Sequence, residues 1–212
     1  MSAPKETARH RLIVEGRDDK WSIIALTAKH GWDWDNADPW YPWIADAQND
    51  IRALEALPVA ALSYDRVGIV LDADIAVSDR WQSIGDRLSG KGFTLPNQPD
   101  PNGTVILRAD GKRLGVWLMP DNQNPGSLEH FLALLVPQGD SCWDFAEEST
   151  RRAKELGAGF TEPDFIKVRI HTWLAWQEEP GLPFGTAIRA ATFAHDTAAA
   201  RKFVAWMERL FA

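Results

Sequence analysis

Acidic side chains follow three apolar runs of this sequence. The runs at 12–14, 67–71 and 113–119 are followed by Glu15, by Asp72 and Asp74, and by Asp121, respectively. Short apolar runs of this kind are typical of strands buried on both faces of a parallel sheet. Because open α/β sheets bind ligands at the edge where their strands end, we expect these carboxylates to converge on one edge.

Asp72 and Asp74 are spaced so that both side chains, if they lie on one strand, point to the same side. Neighbouring carboxylates repel each other unless a proton or a cation lies between them. Mg²⁺ and Mn²⁺ are hard cations that prefer carboxylate oxygens and retain several waters. The pair therefore predicts a Mg²⁺ or Mn²⁺ site, and two acids that simply begin the next helix are the alternative interpretation.

Asp19 and Glu129 are two further acids that we assign to the same candidate site. Asp19 lies four residues after Glu15 and opens a helix predicted over 21–30. Glu129 lies in the first turn of a helix that Ser127 caps and that continues to about residue 135. Acidic residues are favourable at helix starts, so an ordinary capping role is the alternative for both.

Composition and charge restrict the class of protein. The chain has 212 residues, a net charge of −7, 45% hydrophobic residues and a single cysteine, Cys142. These values are typical of a soluble globular protein. The sequence has no long apolar segment, so it predicts neither export nor a membrane span, and we expect a cytoplasmic location. The acidic charge argues against non-specific nucleic-acid binding, but a carboxylate cluster filled with divalent metal reverses its local charge.

The remaining pattern predicts an α/β fold. We expect a first strand at 11–16, a short strand at 43–47 and an antiparallel hairpin of 104–108 with 113–119, turned by Asp110-Gly111. Helices are predicted at 49–62, with Ile51 and Leu62 on the apolar face, and after a cap at Ser78 or Asp79. A loop is expected at 31–42 and four C-terminal helices at 142–156, 163–177, 184–194 and 197–211. Residues 1–140 would form the α/β domain, and residues 141–212 a helical region packed on it as one globular unit.

Two of these motifs together resemble the signatures of TOPRIM domains. Leu12-Ile13-Val14-Glu15-Gly16 with Asp19 is similar to the TOPRIM glutamate motif, and Ile69-Val70-Leu71-Asp72-Ala73-Asp74 is similar to its Asp-x-Asp motif. The chain as a whole is similar to a family of small, uncharacterised prokaryotic TOPRIM-like proteins related to OLD-type nucleases. The stretches that carry this wider resemblance are 117–122, 126–129 and 174–181.

The resemblance implies a Rossmann-like TOPRIM sheet and Mg²⁺- or Mn²⁺-dependent cleavage of nucleic acid, either DNA or RNA. It implies that Asp72 and Asp74 hold the metal and that Glu15 is a further ligand or the general acid/base. The other implied positions are Asp19, Asp121 and Glu129 for a second metal, and Lys167 for neutralising the transition state. OLD-type nuclease domains work beside an ABC-type ATPase, and this sequence has no Gly-x4-Gly-Lys-Ser/Thr motif, so that partner would be a separate chain.

Two other interpretations remain open. The first is a non-catalytic or regulatory TOPRIM-like module that binds metal or nucleic acid, which the acidic net charge favours. The second is a phosphatase of haloacid-dehalogenase type, with Asp72 as nucleophile and Asp74 as acid/base, although Ala76 departs from its usual motif. A topoisomerase or a primase fits poorly, because the large additional domains that those enzymes carry are missing.

Overall fold

One mixed, five-stranded sheet organises the part of the chain that the computed structural model describes, residues 8–36 and 39–212. The strands are β1 (His10–Val14), β2 (Trp43–Asp46), β3 (Arg66–Asp72), β4 (Thr104–Leu107) and β5 (Arg113–Met119). Their order is β2-β1-β3-β5-β4, in which the first four are parallel and β4 is antiparallel to β5. The protein is therefore an α/β protein with a mostly parallel sheet and one antiparallel pair, as the sequence predicted.

Helices flank both faces of the sheet. They are α1 (Arg17–Lys29), α2 (Asp50–Ser63), α3 (Val77–Leu88), α4 (Leu128–Ala133), α5 (Ser141–Glu155), α6 (Phe165–Ala175), α7 (Phe184–Arg189) and α8 (Ala198–Phe211). A 3-10 turn at Glu162–Asp164 precedes α6. None of the helices in the described ranges is long and apolar enough to cross a membrane.

The alternation of side chains along the strands distributes the core between two layers. Leu12 and Val14 of β1 belong to the layer that contains α1 and the C-terminal helices, whereas Ile13 belongs to the layer under α2 and α3. All three are essentially inaccessible to solvent. Because both faces are covered, the strands are apolar throughout rather than alternating, which is the pattern that made them recognisable in the sequence.

The C-terminal helix α8 packs directly on the sheet. Gly68 of β3 and Gly115 of β5 are register partners on neighbouring strands. A Cβ atom on Gly68 would lie 2.6 Å from Leu12 Cδ1 and 3.0 Å from Leu210 Cδ2, and one on Gly115 would collide with Leu210. These two glycines therefore make the space that the Leu210 side chain of α8 fills.

Several predicted details are wrong. Ile51 and Leu62 are 60% and 46% exposed, since α2 buries a narrow stripe that includes Leu54 and Leu57 and the other two residues lie beside it. The residue that caps α3 is Ala76 rather than Ser78 or Asp79.

The predicted helix at 184–194 is shorter in the structure and ends at Arg189. The chain turns away because Ala191 adopts a left-handed conformation with φ of +60°. The helix predicted over 21–30 begins earlier, at Arg17, so that Asp19 lies inside its first turn. The predicted loop at 31–42 includes residues 37–38, which lie outside the described residues, as do residues 1–7.

Candidate functional site

Glu15 and Asp72 are linked across two adjacent parallel strands. Glu15 directly follows β1, Asp72 is the last residue of β3, and Val14 and Val70 are register partners. Glu15 Oε1 accepts a hydrogen bond of 2.7 Å from the backbone N–H of Asp72. The backbone at the end of β3 thus fixes the Glu15 carboxylate, which follows β1.

A second backbone contact fixes the Asp72 carboxylate itself. Its Oδ1 accepts a hydrogen bond of 2.9 Å from the N–H of Leu128, the first residue of α4. The first N–H groups of a helix have no partner within the helix, so a carboxylate is a favourable acceptor there. This contact orients Asp72 toward α4 and brings the neighbouring Glu129 close to the ends of β1 and β3.

Asp19 and Glu129 complete an acidic depression at this edge. Asp19 is 7% exposed, and its Oδ2 accepts a hydrogen bond of 3.0 Å from the N–H of Gly16. Glu129 is 9% exposed; it accepts a hydrogen bond from Ser127 Oγ at 2.8 Å and pairs with Lys167 Nζ at 3.2 Å. The open depression has a volume of about 550 Å³, and its charged lining residues are Glu15, Arg17, Asp18, Asp19, Asp50, Asp72, Glu129 and Lys167.

Asp74 is held away from this depression. The strand ends at Asp72, and Asp74 adopts a left-handed conformation with φ of +53°, so the alternation expected along a strand does not extend to it. Its carboxylate pairs with Arg80, and Asp74 lines a different depression together with Ser127 and His130. Asp72 and Asp74 therefore line different depressions, because the second aspartate lies beyond the end of the strand on which the expected alternation rests.

Asp121 is also separate from the acidic cluster. Its Oδ1 accepts hydrogen bonds from the N–H groups of Gln123 and Asn124 at 3.0 and 2.8 Å, and its Oδ2 accepts one from Asn124 Nδ2 at 2.8 Å. The side chain thus closes the turn in which it lies. Asp121 does not line the acidic depression, so Glu15 and Asp72 are the two strand-end acids that meet the expected convergence.

Arg80 and Asp50 are site residues that the sequence analysis missed. Arg80 lies in α3 and is 10% exposed at its side chain; it donates from Nε to the Asp72 carbonyl at 2.9 Å and pairs with Asp50 at 3.0 Å. It also pairs with Asp74. The sequence signal that could have revealed Arg80 is its position in the first turns of the helix that follows Asp-x-Asp. An arginine there is close enough to contact the end of the strand.

Burial and mutual repulsion make the cluster costly to ionise. Burial, together with the charges of Glu15, Asp19 and Glu129, raises the pKa of Asp72 to about 8. Burial and the Glu15 charge raise the pKa of Asp19 to about 7. Burial also raises the pKa of Glu15, although the Asp72 N–H opposes this. The cluster therefore favours either protons or a cation among these carboxylates at neutral pH.

Glu129 differs from the other carboxylates of the cluster. Burial favours its neutral form, but the hydrogen bond from Ser127 and the charge of Lys167 together keep the pKa of Glu129 below its ordinary value. The Glu129 charge in turn raises the pKa of Lys167 above its ordinary value. The cluster thus contains one fixed ion pair beside carboxylates that resist ionisation.

We expect the stability of the metal-free protein to fall as pH rises from 7 to 8. The folded state holds protons on Asp19 and Asp72 up to about pH 7 and 8, whereas the unfolded chain releases them near pH 4. The folded state therefore binds more protons in this window, and its free energy of unfolding decreases by up to about 1.4 kcal/mol per pH unit for each retained proton.

Urea unfolding in EDTA between pH 7 and 9 measures how the free energy of unfolding changes with pH. The decrease should level off above pH 8. His10 and His130 contribute little in this window, because burial lowers the pKa of both side chains. Asp72→Asn should flatten the slope, and Asp121→Asn, which alters an exposed turn, should preserve it. A wild-type slope of zero or of opposite sign would contradict the assignment of protons to the cluster.

The donor set is compatible in its chemistry with a hard divalent cation. Within the described ranges, no three His, Cys, Asp or Glu side chains come together in a group that could hold a metal ion. Mg²⁺ in proteins is often held by only one or two carboxylates and completes its shell with water and substrate phosphate. The carboxylate-rich lining and the raised pKa values of Asp19 and Asp72 fit that type of site.

The fold and the site together define an α/β protein with an acidic, open depression at the carboxyl ends of its parallel strands. The family model described as "Protein of unknown function (DUF3226)" matches residues 9–212, and the chain belongs to this family. No curated protein and no solved structure matches the chain. The family match thus covers every element of the sheet and all eight helices of the described residues.

Proposed function

We propose that this protein is a TOPRIM-type nuclease that cleaves phosphodiester bonds with Mg²⁺ or Mn²⁺. The observation that carries the proposal is the link between Glu15 and Asp72 at the ends of β1 and β3, 2.7 Å from carboxylate to backbone N–H. It supports the resemblance of both motifs to the TOPRIM signatures, because the two lie 57 residues apart in sequence. Asp19 and Glu129 lie in the same depression.

The Asp72 carboxylate would hold the metal, with Glu15, Asp19 and Glu129 beside it. A metal bound there would supply Lewis-acid activation of the phosphodiester and lower the pKa of an attacking water. Asp74 would join these ligands only by giving up its ion pair with Arg80. Asp121 is directed into its own turn and is not part of the proposed metal site.

The remaining polar groups would position the substrate and move the proton. Lys167 lies at the rim of the depression and stays charged because of Glu129, so it would neutralise a phosphate oxygen of the substrate. Glu15 would accept the proton of the attacking water, since burial raises its pKa and makes it a better base. Single strands or duplexes of DNA or RNA are all compatible with this chemistry, and a separate ABC-type ATPase remains the proposed partner.

A non-catalytic module that binds metal or nucleic acid is the second candidate. The ion pairs of Glu129 with Lys167 and of Asp74 with Arg80 favour it, because they already compensate two of the acids. The phosphatase alternative is weaker, since its acid/base, Asp74, lines a different depression from its nucleophile, Asp72.

Cleavage assays on labelled single-stranded and duplex DNA and RNA, with Mn²⁺, Mg²⁺ or EDTA, distinguish these functions. We expect metal-dependent cleavage that Glu15→Gln reduces by about 100-fold or more, since loss of an outer-shell partner alone commonly costs 10–100-fold. Asp121→Asn is the matched acid-to-amide control and should retain full activity. Metal binding without cleavage of any substrate would favour the module, and cleavage that Glu15→Gln leaves intact would remove Glu15 from the mechanism.

A further inference from the structure

Another open depression lies at the same edge of the sheet and differs in chemistry from the acidic depression. It has a volume of about 570 Å³ and lies between the start of α3 and the loops that flank β4 and β5. None of the described residues that line it is ionisable. The side chains that characterise it are Trp81 and five carboxamides, Gln82, Asn97, Gln98, Asn122 and Gln123.

Asn122 is the best-defined of these carboxamides. It is 1% exposed, has φ of +66°, and its Oδ1 accepts a hydrogen bond of 2.8 Å from the N–H of Leu118. Its Nδ2 is buried and has no hydrogen-bond partner within the described ranges. A buried donor without a partner is unfavourable, and native structures pair such groups with protein, water or a ligand. Asn122 thus lines this depression and carries a buried N–H₂ group that is unpaired within the described ranges.

Three more amides are available at the surface of the same depression. The side chains of Asn97, Gln98 and Gln123 are exposed and make no hydrogen bond to other described residues. Each offers a paired donor and acceptor in one plane. Pro99, Pro101 and Trp81 contribute to the apolar part of the lining. The Trp81 indole N–H donates a hydrogen bond of 2.9 Å to the Pro96 carbonyl, which orients the ring.

The depression is one strand away from the acidic site. Met119, the last residue of β5, is the register partner of Asp72, and Asn122 follows three residues later. On the other side, the depression reaches Val77 and Ser78 at the start of α3, close after Asp74. The connection between β3 and α3 thus separates a charged depression from a neutral one.

We propose that this amide-lined depression binds an unpaired nucleobase of the substrate strand, and that it favours adenine. Asn and Gln side chains pair in bidentate fashion with adenine N6 and N7, and unpaired bases are read through their edges and apolar faces. The absence of charge among its lining residues suits a neutral base and would not repel a strand whose phosphate lies at Asp72. This inference rests on the proposed nuclease function and narrows its substrate to single-stranded or locally unpaired nucleic acid.

Neutral nucleosides test the depression independently of metal and of cleavage. We would titrate adenosine, uridine and ribose into the metal-free full chain and measure binding by saturation-transfer NMR. Adenosine should bind most tightly, and Gln98→Ala/Gln123→Ala should weaken its binding by at least about 5-fold, the lower bound for one lost bidentate contact. Asn102→Ala is the matched control, because Asn102 is an exposed asparagine of the neighbouring loop that does not line the depression.

The outcomes separate this proposal from the nuclease assignment. Adenosine binding that the double variant weakens supports the base site even if no substrate is cleaved. Ribose binding as tight as adenosine binding, no adenosine binding, or a double variant equal to Asn102→Ala would overturn it. Metal-dependent cleavage lost in Glu15→Gln would in those cases leave the nuclease assignment intact.

Discussion

Asp72→Asn is expected to raise the melting temperature of the metal-free protein at pH 8 and to abolish its stabilisation by Mn²⁺. The first effect follows because burial and three neighbouring acids raise the pKa of Asp72 to about 8, so its charge is unfavourable there. An asparagine at this position keeps an oxygen to accept the hydrogen bond from Leu128. For a domain of this size, each kcal/mol gained corresponds to about 2–4 °C.

The second effect concerns the binding of Mn²⁺, which should stabilise the wild type. A ligand that binds only the folded state at about 100 times its Kd adds about 2.7 kcal/mol of stability. Wild-type protein should therefore melt roughly 5–10 °C higher with saturating Mn²⁺, and Asp72→Asn should show no such shift. Its metal-dependent cleavage should also fall by more than about 100-fold, because a direct ligand matters more than an outer-shell partner.

Differential scanning calorimetry with EDTA and with Mn²⁺ measures both effects in one experiment. Asp121→Asn is the control, since Asp121 closes an exposed turn and should leave both melting temperatures near those of the wild type. An Asp72→Asn protein that is destabilised in EDTA and still stabilised by Mn²⁺ would contradict the site. Asp74→Asn distinguishes a further point, because a lost Mn²⁺ shift there would show that Asp74 leaves Arg80 to bind metal.

Gly185→Ala is expected to destabilise the protein by about 2–3 kcal/mol, the upper part of the usual range for forcing extra volume into a packed core. A Cβ atom on Gly185 of α7 would lie 2.6 Å from the Trp21 carbonyl oxygen of α1 and 2.8 Å from its carbonyl carbon. The obstacle is backbone, which cannot rotate away as a side chain can. We therefore expect α7 to be displaced from α1 and the melting temperature to fall by roughly 5–10 °C.

Gly85→Ala is the matched control for this effect. Gly85 lies within α3, and a Cβ atom there would meet nothing within 4 Å. Because alanine is favoured over glycine inside helices, this change should stabilise the protein by about 0.5–1 kcal/mol. Urea unfolding of both variants gives the comparison. Equal stability of the two would show that the contact between α1 and α7 accommodates the extra Cβ atom without loss of stability. Since α1 also carries Asp19, Gly185→Ala should weaken Mn²⁺ binding as well.

The sequence by itself determined the positions of the strands and the succession of most strands and helices along the chain. β1, β3 and β5 were predictable because strands buried on both faces need continuous apolar residues, and the Asp110-Gly111 turn marked the antiparallel pair. The link between Glu15 and Asp72 was also within reach, since parallel neighbours bring their carboxyl ends to one edge. These features depend on local composition, which short segments of the sequence display directly.

The tertiary structure alone decided which acids share the depression. Asp74 and Asp121 were expected there, but the left-handed turn at Asp74, its pairing with Arg80, and the closed turn at Asp121 direct both side chains elsewhere. Glu129 and Lys167, by contrast, reach the site from α4 and α6. Loop dihedral angles and contacts between distant helices determine these positions, and neither leaves a periodic signal in the sequence.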